Sequence, residues 1–253
     1  GIEQVHATQQ TGNGGAGGDE QWGYWHGKFP FYLYRRKIER IVARLSFACQ
    51  DSGMQTSKPN TYHHGNLRES LLQAAEAVLA ERGVQGITLR DVAKKAGVSH
   101  AAPYHHFASL NDLLAAVAER GFVALGDAMA VATTVEDTRE RLLQISLAYV
   151  NCARARPAQF RLMFSPLLTQ GDHYPAMKAA SERSFGLLLA AACAHDPANG
   201  PELALCGWSL SHGMGNLLID GAFDKLPVPM PDTDTLVRQL TMRALMGSAS
   251  RQE

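Results

Sequence analysis

Apolar residues recur at three- and four-residue intervals through most of the chain beyond residue 66, and nowhere alternate as strand positions do. Leu67, Leu71, Ala75, Val78 and Leu79 put one apolar stripe on a helix, which Asn66 would cap at its start and Gly83 would end. A second helix is predicted to begin at Thr88, with Asp91 in its first turn as a variant capping box, and to stop at Gly97. Ser99 is predicted to cap a third short helix over 99–107, with Pro103 tolerated in or near the first turn. A fourth helix is predicted from Leu110 past Phe122, with Leu113, Leu114, Val117, Gly121, Phe122 and Leu125 on its buried side. Further helices are predicted near 135–155, 157–164, 174–195, 201–221 and 234–248, punctuated by Gly171, 196–200 and 227–232. The pattern is all-α: a three-helix head joined by the fourth helix to a larger helical body.

Residues 1–53 break this pattern. They hold a Gly-rich stretch over 11–18, then Trp22, Tyr24, Trp25, Phe29, Phe31, Tyr32 and Tyr34 without helical or strand period. They are read as a flexible arm or as upstream sequence outside the native protein, with Met54 as the natural start. The codons possible for Gln50-Asp51 can contain a ribosome-binding-like sequence just upstream of Met54. The expected organisation is an extension over 1–53, a head over 60–110 and a body over 111–253.

Charge changes the picture only locally. The 253 residues carry 24 Lys+Arg and 24 Asp+Glu, which excludes holding nucleic acid by overall charge. Residues 54–107, however, carry six basic and four acidic side chains and five of the ten histidines, so only this block could present a positive face. The four cysteines, Cys49, Cys152, Cys193 and Cys206, have no ligand or disulfide spacing and read as buried apolar residues in a reducing compartment. The longest apolar stretch, 186–194, is too short to span a bilayer, and no signal pattern is evident, so a cytoplasmic protein without a membrane partner is expected.

The segment 88–107 reads as a helix–turn–helix. Val92 and Ala93 face inward, Ala93 is small where the next helix crosses, Gly97 supplies the positive φ of the turn, and Val98 fills the angle. On Gly83, Thr88, Val92-Ala93, 96–99, Tyr104, His106-Phe107 and Leu113-Leu114 it resembles the tetracycline-repressor (TetR) family of transcriptional regulators. Residues 62–68 strengthen the resemblance, and Trp208 with His212-Gly213 resembles the Trp-His-Gly pattern of one subgroup's C-terminal domain. The resemblance implies an N-terminal helix-turn-helix DNA-binding domain and a C-terminal helical ligand-binding and dimerisation domain. One departure is Leu110, where the family often has a phosphate-contacting Lys.

By that resemblance Thr88, Tyr104 and His106 would contact phosphates, Ser99 would start the recognition helix, and Arg90, His100, Ala101, Ala102 and His105 would face bases. Lys94 and Lys95 read equally as electrostatic contacts or as a solvated face. Tyr104 is expected with its ring buried and its hydroxyl outward, and Phe107 as core. Neighbouring histidines on a helix point about 100° apart, so neither His63-His64 nor His105-His106 is read as a metal site, and no cofactor is expected.

For the body the resemblance implies a homodimer and a small-molecule effector. The helix over 201–221 is apolar on nearly all sides and is expected to be buried all round. It would pair with the last helix, through Val237, Leu240 and Ala244, across a two-fold axis. Tyr149, Phe160, Met163, Phe164, Phe185, Trp208 and His212 would line a pocket for an apolar or aromatic effector, or else form plain core. The expected function is a dimeric repressor on double-stranded operator DNA. The rivals are an activator of the same fold and a ligand-binding protein with weakened DNA binding. No nucleophile elbow, zinc motif or phosphate loop points to an enzyme.

Overall fold

Thr88 and Ser109 each place a hydroxyl where a helix has its first free N–H groups. Thr88 Oγ1 accepts from Asp91 N and Ser109 Oγ from Asp112 N, both at 3.2 Å, so two helices start where the sequence says they must. Asp137 does the same for a third, accepting from Glu140 N at 2.7 Å. The computed structural model describes residues 67–168 and 173–249. The expectations for 1–53, for residues 62–66 and for Gly171 lie outside the described residues. The helices are α1 (Leu67–Arg82), α2 (Leu89–Lys95), α3 (Leu110–Ala132), α4 (Thr138–Ala155), α5 (Pro157–Met163), α6 (Pro175–His195), α7 (Gly200–Ile219) and α8 (Thr233–Ala249). No strand occurs among the described residues.

The expected third helix is a single 3₁₀ turn, Ala102–His105, and Ser99 does not cap it with its side chain. Pro103 is the reason. It has no N–H to return to Ser99 O, so Ala102 N takes that carbonyl at 3.0 Å and the turn tightens. The tightened turn buries Pro103 and sends Tyr104 out, so Tyr104 is 61% exposed and its ring is not buried. Phe107 is core, with the Arg68 guanidinium over its ring at 5.5 Å.

Helix α3 is the spine. Every residue from Leu113 to Ala118 is buried, and the helix packs on α4, α5 and α6 and also meets α1. A Cβ on Gly121 would stand 2.5 Å from Met163 Sδ and 3.2 Å from Gln159 Cγ, so this glycine sets how closely α5 crosses. Arg120 ties α3 to α1, pairing with Glu69 at 2.8 Å and Glu76 at 3.0 Å.

Two expectations are corrected, that the cysteines are buried and that Val237 faces a partner, while the open side of α7 is one that the expected pairing would cover. Leu205 and Leu217 are 45% and 44% exposed, so α7 is buried on one side and open on the other. Cys206 is exposed on the same helix, and Cys152 and Cys193 are half-buried. Val237 is fully buried within the chain against Leu143, Leu147, Val150 and Met214, with Leu240 packed on that cluster, so Val237 cannot face a partner.

Gly97 has φ +70° and open space around an added Cβ. Gly97→Ala should therefore cost only the left-handed penalty, about 1–2 kcal/mol. Gly121→Ala must displace α5 side chains and should cost about 1–3 kcal/mol. Urea unfolding of each variant measures both, and equal stability to wild type at either position would contradict this packing.

Candidate functional site

Helix α2 and the turn that follows it carry the first group of candidate residues. Arg90, Lys94, Ser99, His100, Ala101, Tyr104, His105 and His106 are all exposed, and Ala102 is half-buried beneath them. The surrounding acids are answered from within the head. The Arg82 guanidinium lies 2.9 Å from Asp91, and Lys95 Nζ lies 2.5 Å from Glu81. Lys95 holds the Glu81 carboxyl below its ordinary range, and the Thr88 hydroxyl does the same for Asp91.

These pairings divide the expected contacts. The Thr88 hydroxyl donates to Asp91 Oδ2 at 2.6 Å, so within the chain its hydrogen serves the cap. Lys95 is likewise engaged with Glu81. Arg90 and Lys94 remain exposed, as do the three histidines and Tyr104. The Ser109 hydroxyl donates to Asp112 at 2.7 Å and so serves the start of α3. Leu110 follows it, half-buried in the first turn.

The second group comes together in the body from four helices. Tyr149 on α4 and Phe160 on α5 are buried at its base. Phe164, Phe185, Trp208 and His212 are half-buried around them. His212 lies 4.5 Å from Phe164, 5.4 Å from Phe160 and 6.1 Å from Trp208 by ring centroids, and Trp208 meets Phe185 edge-on at 6.0 Å. A polar thread runs through these rings. Trp208 Nε1 donates to the Tyr149 hydroxyl at 3.3 Å, and that hydroxyl is 2.9 Å from His212 Nδ1. Burial pushes the Tyr149 hydroxyl well above the ordinary tyrosine range and the His212 imidazole below the ordinary histidine range.

Met163 faces α3, where a Cβ on Gly121 would meet its Sδ. With Phe160, Gly121, Ala124, Cys152, Ala155, Arg156 and Gln159 it lines a cavity of about 60 Å³. Three members of this region are absent from the candidates named by sequence. Phe122 joins the cluster edge-on to Phe164 at 5.5 Å. Gln159, buried, donates from Nε2 to Val117 O at 2.9 Å. Arg120 links α3 to α1. Periodicity places Phe122 and Gly121 on the buried side of their helix, but nothing in it tells core from pocket wall. The pairing of Arg120 with Glu69 spans 51 positions and leaves no local trace. Asp220, eight residues beyond His212, is paired with Arg161 and takes no part in the thread.

Both groups fall within regions shared with known proteins. The model for bacterial regulatory proteins of the tetR family matches residues 71–117. The model for the tetracyclin repressor-like C-terminal domain matches residues 142–244. The chain is 45% identical over 47 residues to the HTH-type transcriptional repressor KstR2 of Mycobacterium tuberculosis, covering 19% of this chain and 24% of that protein. It thus spans only about a quarter of that curated relative. A protein of unknown function from Rhodococcus sp. RHA1 superposes with TM-score 0.61 at 32% identity, covering 75% of this chain and 98% of that one. The TetR family regulator PfmR of Thermus thermophilus shares the fold, with TM-score 0.52, 22% identity, and coverage of 70% and 97%.

The lowered basicity of His212 has a signed consequence. The unfolded chain takes up a proton near about pH 6.5, while the folded chain resists it. The stability this group supplies is whole above that pH and is lost as pH falls towards the folded value. Thermal unfolding between about pH 8 and pH 5 should show wild type losing more melting temperature than His212→Gln; identical pH slopes would remove the effect.

Proposed function

The chain belongs to the tetR family of bacterial regulatory proteins, and on that premise we propose that it is a homodimeric, sequence-specific DNA-binding transcriptional repressor, released from its operator by a small apolar or aromatic effector. The observation that carries the reading is the reading turn itself. Arg90, Lys94, His100, Tyr104, His105 and His106 stand exposed on a helix–turn–helix whose acids are paired internally. Residues 60–110 would be the DNA-binding domain and 111–253 the effector and dimerisation domain, of the Trp-His-Gly subgroup. Arg90 would read a base edge and Lys94 a phosphate.

Dimerisation is supported by the open side of α7. Leu205, Ser209, Gly213 and Leu217 follow one another at four-residue intervals, and a Cβ on Gly213 would meet nothing. Met246 of α8 is 61% exposed. Small residues in such a stripe admit a second helix at close range, and a two-fold axis would pair the face with itself. Two reading turns would then enter successive major grooves about 34–36 Å apart or somewhat more.

Release would travel through α3, which touches both the reading head and the cavity wall. A ligand that displaced Met163 or Phe160 would press on Gly121, one residue from the Arg120 pairs with Glu69 and Glu76. The coupling needed is about 1–3 kcal/mol. No helix among the described residues is long and apolar enough to cross a membrane, which suits work in the cytoplasm.

Fluorescence anisotropy with DNA from upstream of the gene, across a salt series, tests the reading. Tight, competitor-resistant binding is expected. Lys94→Ala should lower the salt slope by about one, whereas Lys95→Ala, already paired to Glu81, should change it less. Binding equally weak for unrelated DNA would remove the sequence-specific role. Leu217→Glu should convert the dimer to monomer in sedimentation and weaken operator binding with it; an unchanged dimer would move the interface elsewhere.

A further inference from the structure

The polar thread among the aromatic rings has a direction. An indole N–H can only donate, so the Tyr149 hydroxyl accepts from Trp208 Nε1, 3.3 Å away. The hydroxyl hydrogen is left for His212 Nδ1 at 2.9 Å. Nδ1 is therefore the acceptor, and the hydrogen of the neutral imidazole sits on Nε2. His212 otherwise bonds through its backbone carbonyl, which accepts from Asn216 Nδ2 at 2.9 Å. The ring is half-buried, its orientation is set by the Nδ1 bond, and among the described residues Nε2–H donates to no side chain or carbonyl.

The neighbours decide what such a donor would accept. The side chains in ring contact with His212 are Tyr149, Phe160, Phe164 and Trp208, none of them charged. Protonating His212 would make Nδ1 a second donor towards the Tyr149 oxygen. The Tyr149 hydrogen, inside a buried side chain, would then lose its acceptor. The thread thus opposes an imidazolium, and the rings around it supply no cation in its place. On the far side of Phe160 the cavity of about 60 Å³ leaves this ring space to shift.

We propose that His212 Nε2–H is the polar anchor of the effector site, and that the effector is an uncharged aromatic or flat apolar compound presenting one hydrogen-bond acceptor to it, of the ketone, ester or lactone kind. This rests on the effector-released reading above and names the chemistry which that reading leaves open. A carboxylate finds no cation among the rings that meet His212, Arg156 being in the lining of the cavity beside Phe160, and an ammonium finds ring faces but no carboxylate or free carbonyl among them. A hydrocarbon gains the rings but leaves the donor without a partner.

Four compounds on one skeleton test this with the full chain: acetophenone, ethylbenzene, benzoate and benzylamine, titrated by ligand-observed NMR at about pH 8. Acetophenone is expected to bind about five- to tenfold more tightly than ethylbenzene, with benzoate and benzylamine weakest. His212→Phe should erase the acetophenone advantage while ethylbenzene still binds. His212→Gln, which keeps a donor, should retain part of it. Tyr149→Phe removes the hydroxyl that holds Nδ1 unprotonated, so benzoate should gain on acetophenone at about pH 6. Benzoate or benzylamine matching acetophenone in wild type would overturn the proposal. So would an advantage that survives His212→Phe, no gain for benzoate in Tyr149→Phe, or no binding by any of the four. Operator binding measured in parallel separates the two claims, because its loss tells against the regulator and its survival leaves any such failure with the anchor alone.

Discussion

Helix α3 is held by two buried polar side chains that grip its backbone from opposite neighbours. Gln159 of α5 donates to Val117 O, and the Ser184 hydroxyl of α6 donates to Phe122 O, each at 2.9 Å. Both are possible because Gly121 and Gly126 let those helices come near. A Cβ on Gly126 would stand 3.1 Å from Ser184 Oγ. A buried amide or hydroxyl without its partner costs about 1–3 kcal/mol, so the two bonds define a single register for α3 between its neighbours. Apolar packing alone would tolerate a slide. The position of α1, and of the reading turn beyond it, follows from that register through Arg120.

Much of this is legible in the chain, and for local reasons. Thr88 and the apolar period locate α2 and the start of α3 at Leu110, because caps and periodicity act over three or four residues. Gly83 and Gly97 end helices with φ +69° and +70°, as a missing Cβ allows. Where two local rules compete, the expectation fails. Ser99 argues for a helix start, yet Pro103 removes the N–H that an α-helix would have returned to it, and a 3₁₀ turn results. Tyr104 moves outward with it.

The longer-range differences share another cause. An apolar helix announces that it must be covered, not by what. The stripe of α7 reads as covered all round once a partner helix is counted, and within one chain Leu205 and Leu217 lie open. On α8, Val237 reads as facing outward and is taken up by α4. In the aromatic cluster, residue type and spacing on separate helices suffice to gather Tyr149, Phe160, Phe164, Phe185, Trp208 and His212. What they cannot show is the order of the hydrogen bonds, which depends on distances between helices. Arg120 and its two carboxylates are invisible in the sequence for the same reason.

The shortness of the reading turn carries a consequence of scale. A 3₁₀ element rises about 2 Å per residue and repeats every three. Ala102 and His105 therefore eclipse on one ridge, and Ala102–His105 extends only about 6–8 Å. Base pairs are stacked about 3.4 Å apart, so in the proposed dimer each copy would address two steps or so from this ridge. On the proposed function, whatever this ridge and Arg90 leave unread in a long operator would be distinguished by how readily it bends or narrows to meet the flanking backbone contacts. A family of binding sites alike in two short words and in stiffness, but loose in spelling between them, would be the natural counterpart of two such turns.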